Sequence, residues 1–477
     1  MKSFVTPFVS AVLVLGAYSL AEAQVPTFNK DVAPILYSKC ANCHRPGEIA
    51  PMSLLSYRAA RPWARAIKAK VVAREMPPWF LDDNPQHPVA DANVLTQAQI
   101  NILAAWADGG APEGTEPAPQ PPQFVDNVNA AIGRAPEYTL STPTIDIPAS
   151  GQFPNINVWT KTPFTENTFF EATEMRPTNR SVTHHAGTFA LAMPPGSSIG
   201  RGPAFKGGPE IDGILTKSDG TIDDGAGAEA AEFATSQISP AYFDEGPRRA
   251  RGNTHNGIIG HYAPAGGFLK YPADMVKRIG AANQYVNWLL HYTVTGKPEK
   301  VRMDMFLWTS DPKKAKYEAV GSLMDDVEIV NGRELIGRER RPSIKPFEDK
   351  YTVVSMTAFD SPVTILNFWP HMHLRGRQMK FVAAYPDGHE ETLLDVARYQ
   401  FDWQLFYFLE KPVKLPAGTI VRAETLYDNS LKNKVNPAPQ IEVPWGAMSW
   451  DEMHFPFVEF VLDNDVQPWT KRRSGTN

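Results

Sequence analysis

The side chains here whose types and spacing could do chemistry are a handful of histidines, two cysteines and a few methionines. Trp369-Pro370-His371-Met372-His373-Leu374-Arg375-Gly376 offers two imidazoles two residues apart. On a strand, residues i and i+2 project from one face, so His371 and His373 can address a single metal ion. That spacing alone serves zinc hydrolases, cupin-type sites and copper sites alike, and equally a pair of hydrogen-bonded strand histidines. Ser181-Val182-Thr183-His184-His185-Ala186-Gly187 holds an adjacent pair. Neighbouring strand residues face opposite ways, so His184 and His185 share an ion only at a strand end or an irregularity, which Gly187 would allow. His291 lies in the apolar run Trp288-Leu289-Leu290-His291-Tyr292-Thr293, and Trp450-Asp451-Glu452-Met453-His454 comes near the end.

The only cysteines are Cys40 and Cys43, followed at once by His44. Cys-x-x-Cys-His is the c-type haem attachment signature, in which the thiols join the haem vinyl groups and the histidine ligates iron. A thioredoxin-type redox pair would need a βαβ context, which the flanking sequence lacks. Apolar spacing predicts helices over Asn29 to Lys39 and Arg61 to Glu75, and a third capped by Thr96 and stopped at Gly109-Gly110. Met76-Pro77-Pro78-Trp79 could hold a thioether against the iron, giving His/Met ligation; Met52 and His87 compete for that place. The stretch Phe28 to Pro112 resembles the small c-type cytochromes fused to other exported redox domains. Haem c attachment outside the cytoplasm agrees with Met1 to Ala23, which reads as a cleaved signal peptide ending in Ala21-Glu22-Ala23. The expectation is a periplasmic or secreted protein beginning at Gln24.

With 477 residues the chain has room for roughly three domains. A net charge of −5 without long single-sign runs argues against nucleic acid or an anionic membrane surface as the main partner. Beyond the leader no segment approaches the length of a membrane span. Forty-three prolines favour a loop-rich β architecture, and an exported chain without spare cysteines must fold without a disulfide framework. Pro112 to Phe124 reads as a semi-rigid linker, and from Tyr138 short alternating segments read as strands of β-sandwiches.

The combination resembles the copper type II, ascorbate-dependent monooxygenases, the family of peptidylglycine α-hydroxylating monooxygenase and dopamine β-monooxygenase. The motifs that carry the resemblance are Thr183-His184-His185, Leu290-His291-Tyr292, His371-Met372-His373 with Gly376, and Asp451-Glu452-Met453, in the family's order over roughly 270 residues. The resemblance implies two copper ions. His184, His185 and His291 would bind an electron-transfer copper; His371, His373 and Met453 would bind the one that activates O₂. A thioether suits Cu(I).

It also implies two tandem β-sandwiches facing each other across a solvent-filled cleft. The full expectation is therefore multidomain: residues 1–23 a leader, 24–114 a small all-α cytochrome c domain, 115–137 a linker, then jelly-roll-like all-β sandwich domains at 138–335 and 336–477. The expected partners are O₂, a small organic substrate and an external electron donor, an ascorbate-like reductant or another redox protein. Electrons would pass through one covalent haem c held by Cys40, Cys43, His44 and Met76.

The chain departs from the peptide-amidating members by holding Trp369 and Phe455-Pro456-Phe457 where they carry groups for a peptide carboxylate, which points to an apolar or aromatic substrate. Two other readings keep some of these residues: a copper and haem electron carrier without oxygenase activity, and a zinc hydrolase using His371, His373 and a further histidine. His261 could assist the nearby copper or shape a turn, His454 could be a packed histidine, and His255 and His389 have no evident role. The Gly-, Ala- and Asp-rich stretch Gly200 to Pro240 reads as a surface insertion.

Overall fold

A computed structural model of the chain describes residues 25–462, apart from residues 83, 85, 91, 125–127, 131, 152, 154, 206–207, 223–252, 256–257, 265, 282–283, 312, 314, 325–326, 336–340 and 447–448. The expected leader and most of the 200–240 stretch lie outside the described residues. No helix among the described residues is long and apolar enough to cross a membrane.

Four larger antiparallel-rich sheets carry the fold. The first is centred on Thr168–Pro177 and Met303–Thr309, and the second on Tyr285–Tyr292 and Thr183–Leu191. Strands Val363–His371 and Phe455–Leu462 lie at the centre of the third. Tyr351–Phe359, Thr419–Tyr427 and Gly376–Ala384 build the fourth. Strict alternation of buried and half-exposed residues along Tyr351–Phe359 leaves one face of that sheet towards solvent. Val363–His371, by contrast, is buried at every position, because both faces of the third sheet are covered.

Three apolar layers follow from this arrangement. Phe170, Met175, Ile156 and Trp288 lie between the first and second sheets. Phe368, Phe381, Val458 and Val421 lie between the third and fourth. Between the second and third, Trp159, Phe189, Trp369, Phe455 and Phe457 form an aromatic layer.

The expected succession of a small all-α cytochrome c domain and two tandem all-β sandwiches is not what folds. Strand accounts for 41% of the chain and helix for 12%, so the chain is mostly β. The helices Ala33–Lys39, Tyr57–Ala60, Ala64–Val72 and Gln97–Asp108 gather an apolar cluster around Phe28, Leu36, Leu103 and Trp106. Thr96 caps the last of them with a reciprocal box: its Oγ1 accepts from Gln99 N, and the Gln99 side chain accepts from Thr96 N. The segment that would close an all-α domain leaves it, however. Phe80 and Val89 are built into the core between the third and fourth sheets, and Ala90 N donates to Phe408 O at 2.8 Å. Helical periodicity marks the short helices and carries no information about where the extended stretch between them finds its apolar partners.

Nor are the β units self-contained. Tyr317–Glu318 pairs with the first sheet and Val320–Leu323, two residues on, with the third. Asn253–His255 also joins the third sheet, while Ile258–Tyr262 belongs to the second. Polar composition near residue 335 suggested a boundary, but backbone groups at open sheet edges pair with whatever strand lies alongside.

Where the first and third sheets meet, Lys277 Nζ donates to Glu459 Oε1 at 2.8 Å, with Tyr271 donating to the same oxygen at 3.0 Å. Asn367 Nδ2 donates to Glu459 Oε2 at 2.7 Å, and both charged groups are buried. A fully enclosed pair holds its geometry because either charge alone would be costly there. Lys277→Met, which strands the Glu459 carboxylate, is expected to lower stability by about 3–5 kcal/mol. The double variant Lys277→Met/Glu459→Gln should lose clearly less, and urea denaturation of the three proteins measures the difference.

Candidate metal centre in the aromatic layer

The adjacent histidines reach one point because of a bulge. His291 pairs with His185 but Tyr292 pairs with Thr183, so His184 is the extra residue on its strand. The irregularity falls on His184 itself rather than at Gly187. His184 Nδ1 consequently lies 2.9 Å from His185 Nδ1 and 3.1 Å from His291 Nδ1. One ligand atom from each of the three falls within 4.8 Å of the others.

Burial lowers His185 well below the usual imidazole range and brings His291 down to about 3, so both rings are neutral near pH 7. His184 Nε2 lies 3.1 Å from Asp402 Oδ1. That carboxylate accepts a hydrogen from Nε2, which leaves the Nδ1 lone pair aimed at the other two rings. Three imidazoles with converging nitrogens are a donor set that suits copper, zinc, iron or nickel.

His371 is the last residue of its strand, and His373 lies just beyond it. Alternation persists past the strand end. Met372 points into the core between the third and fourth sheets, while the two histidines face the aromatic layer, their ring centroids 5.2 Å apart. A Cβ on Gly376 would come within 2.6 Å of Met372 Cβ, so the tight return of the chain here requires glycine.

Gln404 Oε1 bonds His371 Nδ1, and the Asp451 carbonyl lies 3.4 Å from His373 Nδ1. Each ring therefore keeps Nε2 for another partner, and that of His373 is buried without one in the protein. Burial brings His371 down to about 4 and His373 well below the usual imidazole range, so both rings are neutral. Met453 lines the same small cavity, of about 50 Å³, as His185, His371, His373, Trp369 and Phe455. Two imidazoles and a thioether fit copper better than zinc.

Among the described residues, no open cleft separates the two groups, in contrast to the expectation. The rings of His185 and His371 are 6.2 Å apart by centroid. Phe401 packs beside His184, His185, His291 and His373, at 5.4, 6.0, 5.8 and 5.8 Å. Asp402, Gln404 and Phe401 share one loop, and none of them was visible as a site residue, because no spacing rule links residues 401–404 to residues 184 or 371.

Glu452 was seen only as part of a motif. It is fully buried, with Oε2 accepting from His373 N at 3.0 Å and Met453 N at 3.2 Å, and Oε1 from Arg375 N at 2.6 Å. Burial pushes its carboxyl up to about 7, against the pull of these amides and of Arg375. His454 is held elsewhere, with Ser355 Oγ at 2.8 Å and Tyr427 OH at 3.3 Å. His261 is buried against Trp369 and Phe406. His389 stacks on Tyr385 at 4.0 Å.

At the Cys-x-x-Cys-His turn, His44 N donates to Cys40 O at 2.9 Å, and His44 Nδ1 lies 3.3 Å from the Met52 carbonyl. That contact leaves Nε2 for another partner, the arrangement an axial haem ligand would need. Burial raises the Cys40 and Cys43 thiols to about 12 and about 11, a setting opposed to that of an activated redox pair. Met76, 40% exposed, lies with His87 and Trp79 at a cavity of about 520 Å³ between the helical segment and the fourth sheet. Cys40, Cys43 and His44 do not line that cavity. His87 Nε2 lies 2.9 Å from Glu391 Oε1.

No protein-family model matches the chain, and no curated protein matches it. Among solved structures, PNGF-II in its P21 and C2 crystal forms is 10% identical to it, with TM-scores of 0.25 and 0.23. The similarity covers 68% of this chain and 65% and 64% of those chains, so this chain spans less than two thirds of their length. The coconut allergen cocosin is 9% identical, with a TM-score of 0.11 over 70% of this chain and 85% of that one. Likeness at that level carries no argument about fold or chemistry, and the site must be read from its own residues.

Glu452→Gln places an amide N–H group against backbone N–H donors. It is expected to weaken metal binding at His371, His373 and Met453 by about 10–100-fold while sparing the His184, His185, His291 group. Chelator competition with copper-loaded protein measures this, and equal loss at both groups would exclude the assigned role.

Proposed function

We propose that the chain is a copper-dependent monooxygenase that hydroxylates a C–H bond of a small apolar or aromatic substrate, with electrons supplied through a covalent c-type haem. The observation that carries this reading is the convergence, in one aromatic layer, of a three-imidazole group and a two-imidazole set whose shared cavity also holds a thioether. Copper held there would supply the one-electron steps that join O₂ reduction to C–H oxidation.

The chain's own residues then have definite parts. Asp402 and Gln404 set the tautomers of His184 and His371. Glu452 ties the His373 and Met453 backbones to one carboxylate, so these two ligands move together. Trp369, Phe189 and Phe455 wall the cavity with apolar surface, which excludes water and favours an apolar reacting group. Among the described residues, no arginine or lysine lines that cavity to pair with a peptide carboxylate. Electrons must enter from an external reductant, ascorbate-like or a redox protein, and export to an oxidising compartment would suit haem attachment.

A copper and haem electron carrier without oxygenase activity would use the same ligands; the nearness of the His185 and His371 rings, which shortens transfer between two metals, suits it as well. Metal analysis of periplasmically expressed protein, joined to O₂ uptake across apolar and aromatic compounds, separates the readings. About two coppers and one haem per chain are expected, with His291→Ala and Met453→Ala each losing one copper, and substrate-dependent O₂ uptake yielding a hydroxylated product. Zinc in place of copper, or a metal content indifferent to Met453→Ala, would overturn the monooxygenase; full copper loading without any O₂ uptake would leave the electron carrier.

A further inference from the structure

The haem-attachment turn is clamped to the bulged histidine strand by charge. Glu48, four residues after His44, accepts from Arg180 Nη1 at 3.0 Å and from Arg45 Nη2 at 2.7 Å. Arg180 opens the 3₁₀ turn Arg180–Val182 that leads directly into Thr183, His184 and His185. The Glu48 side chain is 10% exposed, Arg45 20% and Arg180 24%, so the three charges are largely withdrawn from solvent screening. Arg45 in turn lies over the Phe124 ring at 3.9 Å, which pins the end of the proline-rich stretch to the same place.

Beneath the clamp, Tyr262 is buried on the strand next to His184 and His185, its backbone paired with Ala186. Glu48, Arg180 and Cys43 are all within electrostatic reach of its hydroxyl. Tyr262 thus lies within electrostatic reach of the second thiol of the haem signature and of the arginine that leads into the metal-binding strand.

We infer that Glu48 and Arg180 are positioning residues for electron entry, holding the haem of Cys40, Cys43 and His44 against the His184, His185, His291 metal. The inference rests on the copper and haem reading above and adds the route and the residues that set it. With both groups bound, each passage would take one electron from Fe(II), giving Fe(III), and reduce one Cu(II) to Cu(I), and an external reductant would supply one electron to the haem after each of the two passages. A linker alone would keep the haem in the neighbourhood at a high effective concentration, whereas the clamp chooses one orientation.

The test uses the full-length holoprotein loaded with Cu(II), its haem reduced anaerobically by a laser flash from a photoreductant, and haem reoxidation followed by time-resolved absorbance. Arg180→Ala and Glu48→Gln are each expected to slow reoxidation about tenfold, equivalent to about 1.4 kcal/mol of docking free energy. The double variant should be no slower than the slower single one, because the two act through one contact. Arg180→Lys should recover most of the rate, and copper and haem content should match the wild type throughout.

Hydrogen exchange supplies a readout independent of turnover: residues 41–50 should exchange faster in Arg180→Ala, while residues 185–191 keep their protection. Wild-type transfer with an unchanged rate in Arg180→Ala would overturn the route and leave the monooxygenase reading standing. Failure of the wild-type haem to reduce copper at all would remove both.

Discussion

The buried histidines of this molecule depend on two sheet faces that bury one another. The second and third sheets each already cover a core on one side. Their remaining faces carry Trp159, Phe189, Trp369, Phe455 and Phe457, too much aromatic surface to leave in water. Closing that layer encloses His185, His371 and His373. Enclosure then disfavours the imidazolium form, and neutral rings with free lone pairs result. The donor character of the site is thus a consequence of packing as much as of residue type.

Such a layer would be loose if the sheets could slide. Short crossings prevent it: Tyr317–Glu318 and Val320–Leu323 belong to different sheets, as do Asn253–His255 and Ile258–Tyr262. The buried Lys277 and Glu459 pair fastens the first sheet to the third on the same side. An ion pair in such a place adds little net stability compared with a well-packed apolar pair, but it tolerates few alternative alignments. Position, more than stability, is what two histidine groups whose His185 and His371 rings lie 6.2 Å apart demand.

Glu452 extends the logic to the ligands. One carboxylate gathers the backbone N–H groups of His373, Arg375 and Met453, three residues from two distant chain segments. Arg375, itself fully buried, donates to the Trp450 carbonyl at 2.6 Å and supplies the nearby positive charge. Removing a carboxylate with this many donors would leave several buried amides unpaired at once.

By itself, the sequence determined which residues could bind metal or haem: the alternation that puts His371 and His373 on one side of Met372, the His184 and His185 pair with His291 on an apolar strand, and the Cys40-Cys43-His44 turn. These signals are local, set by backbone periodicity within a few residues, and therefore legible in one dimension. Helix positions were legible for the same reason, down to the Thr96 cap. Only the tertiary structure decided how those pieces relate. It moved the irregularity onto His184, carried Phe80 and Val89 away from the helices into a β core, and wove strands from both sides of residue 335 into one sheet. It also brought Phe401, Asp402 and Gln404 over histidines more than two hundred or some thirty residues away along the chain. Contacts of that kind arise from apolar faces and sheet edges finding whichever partner closes the core, and a side chain carries no mark in its own neighbourhood of which distant face that will be.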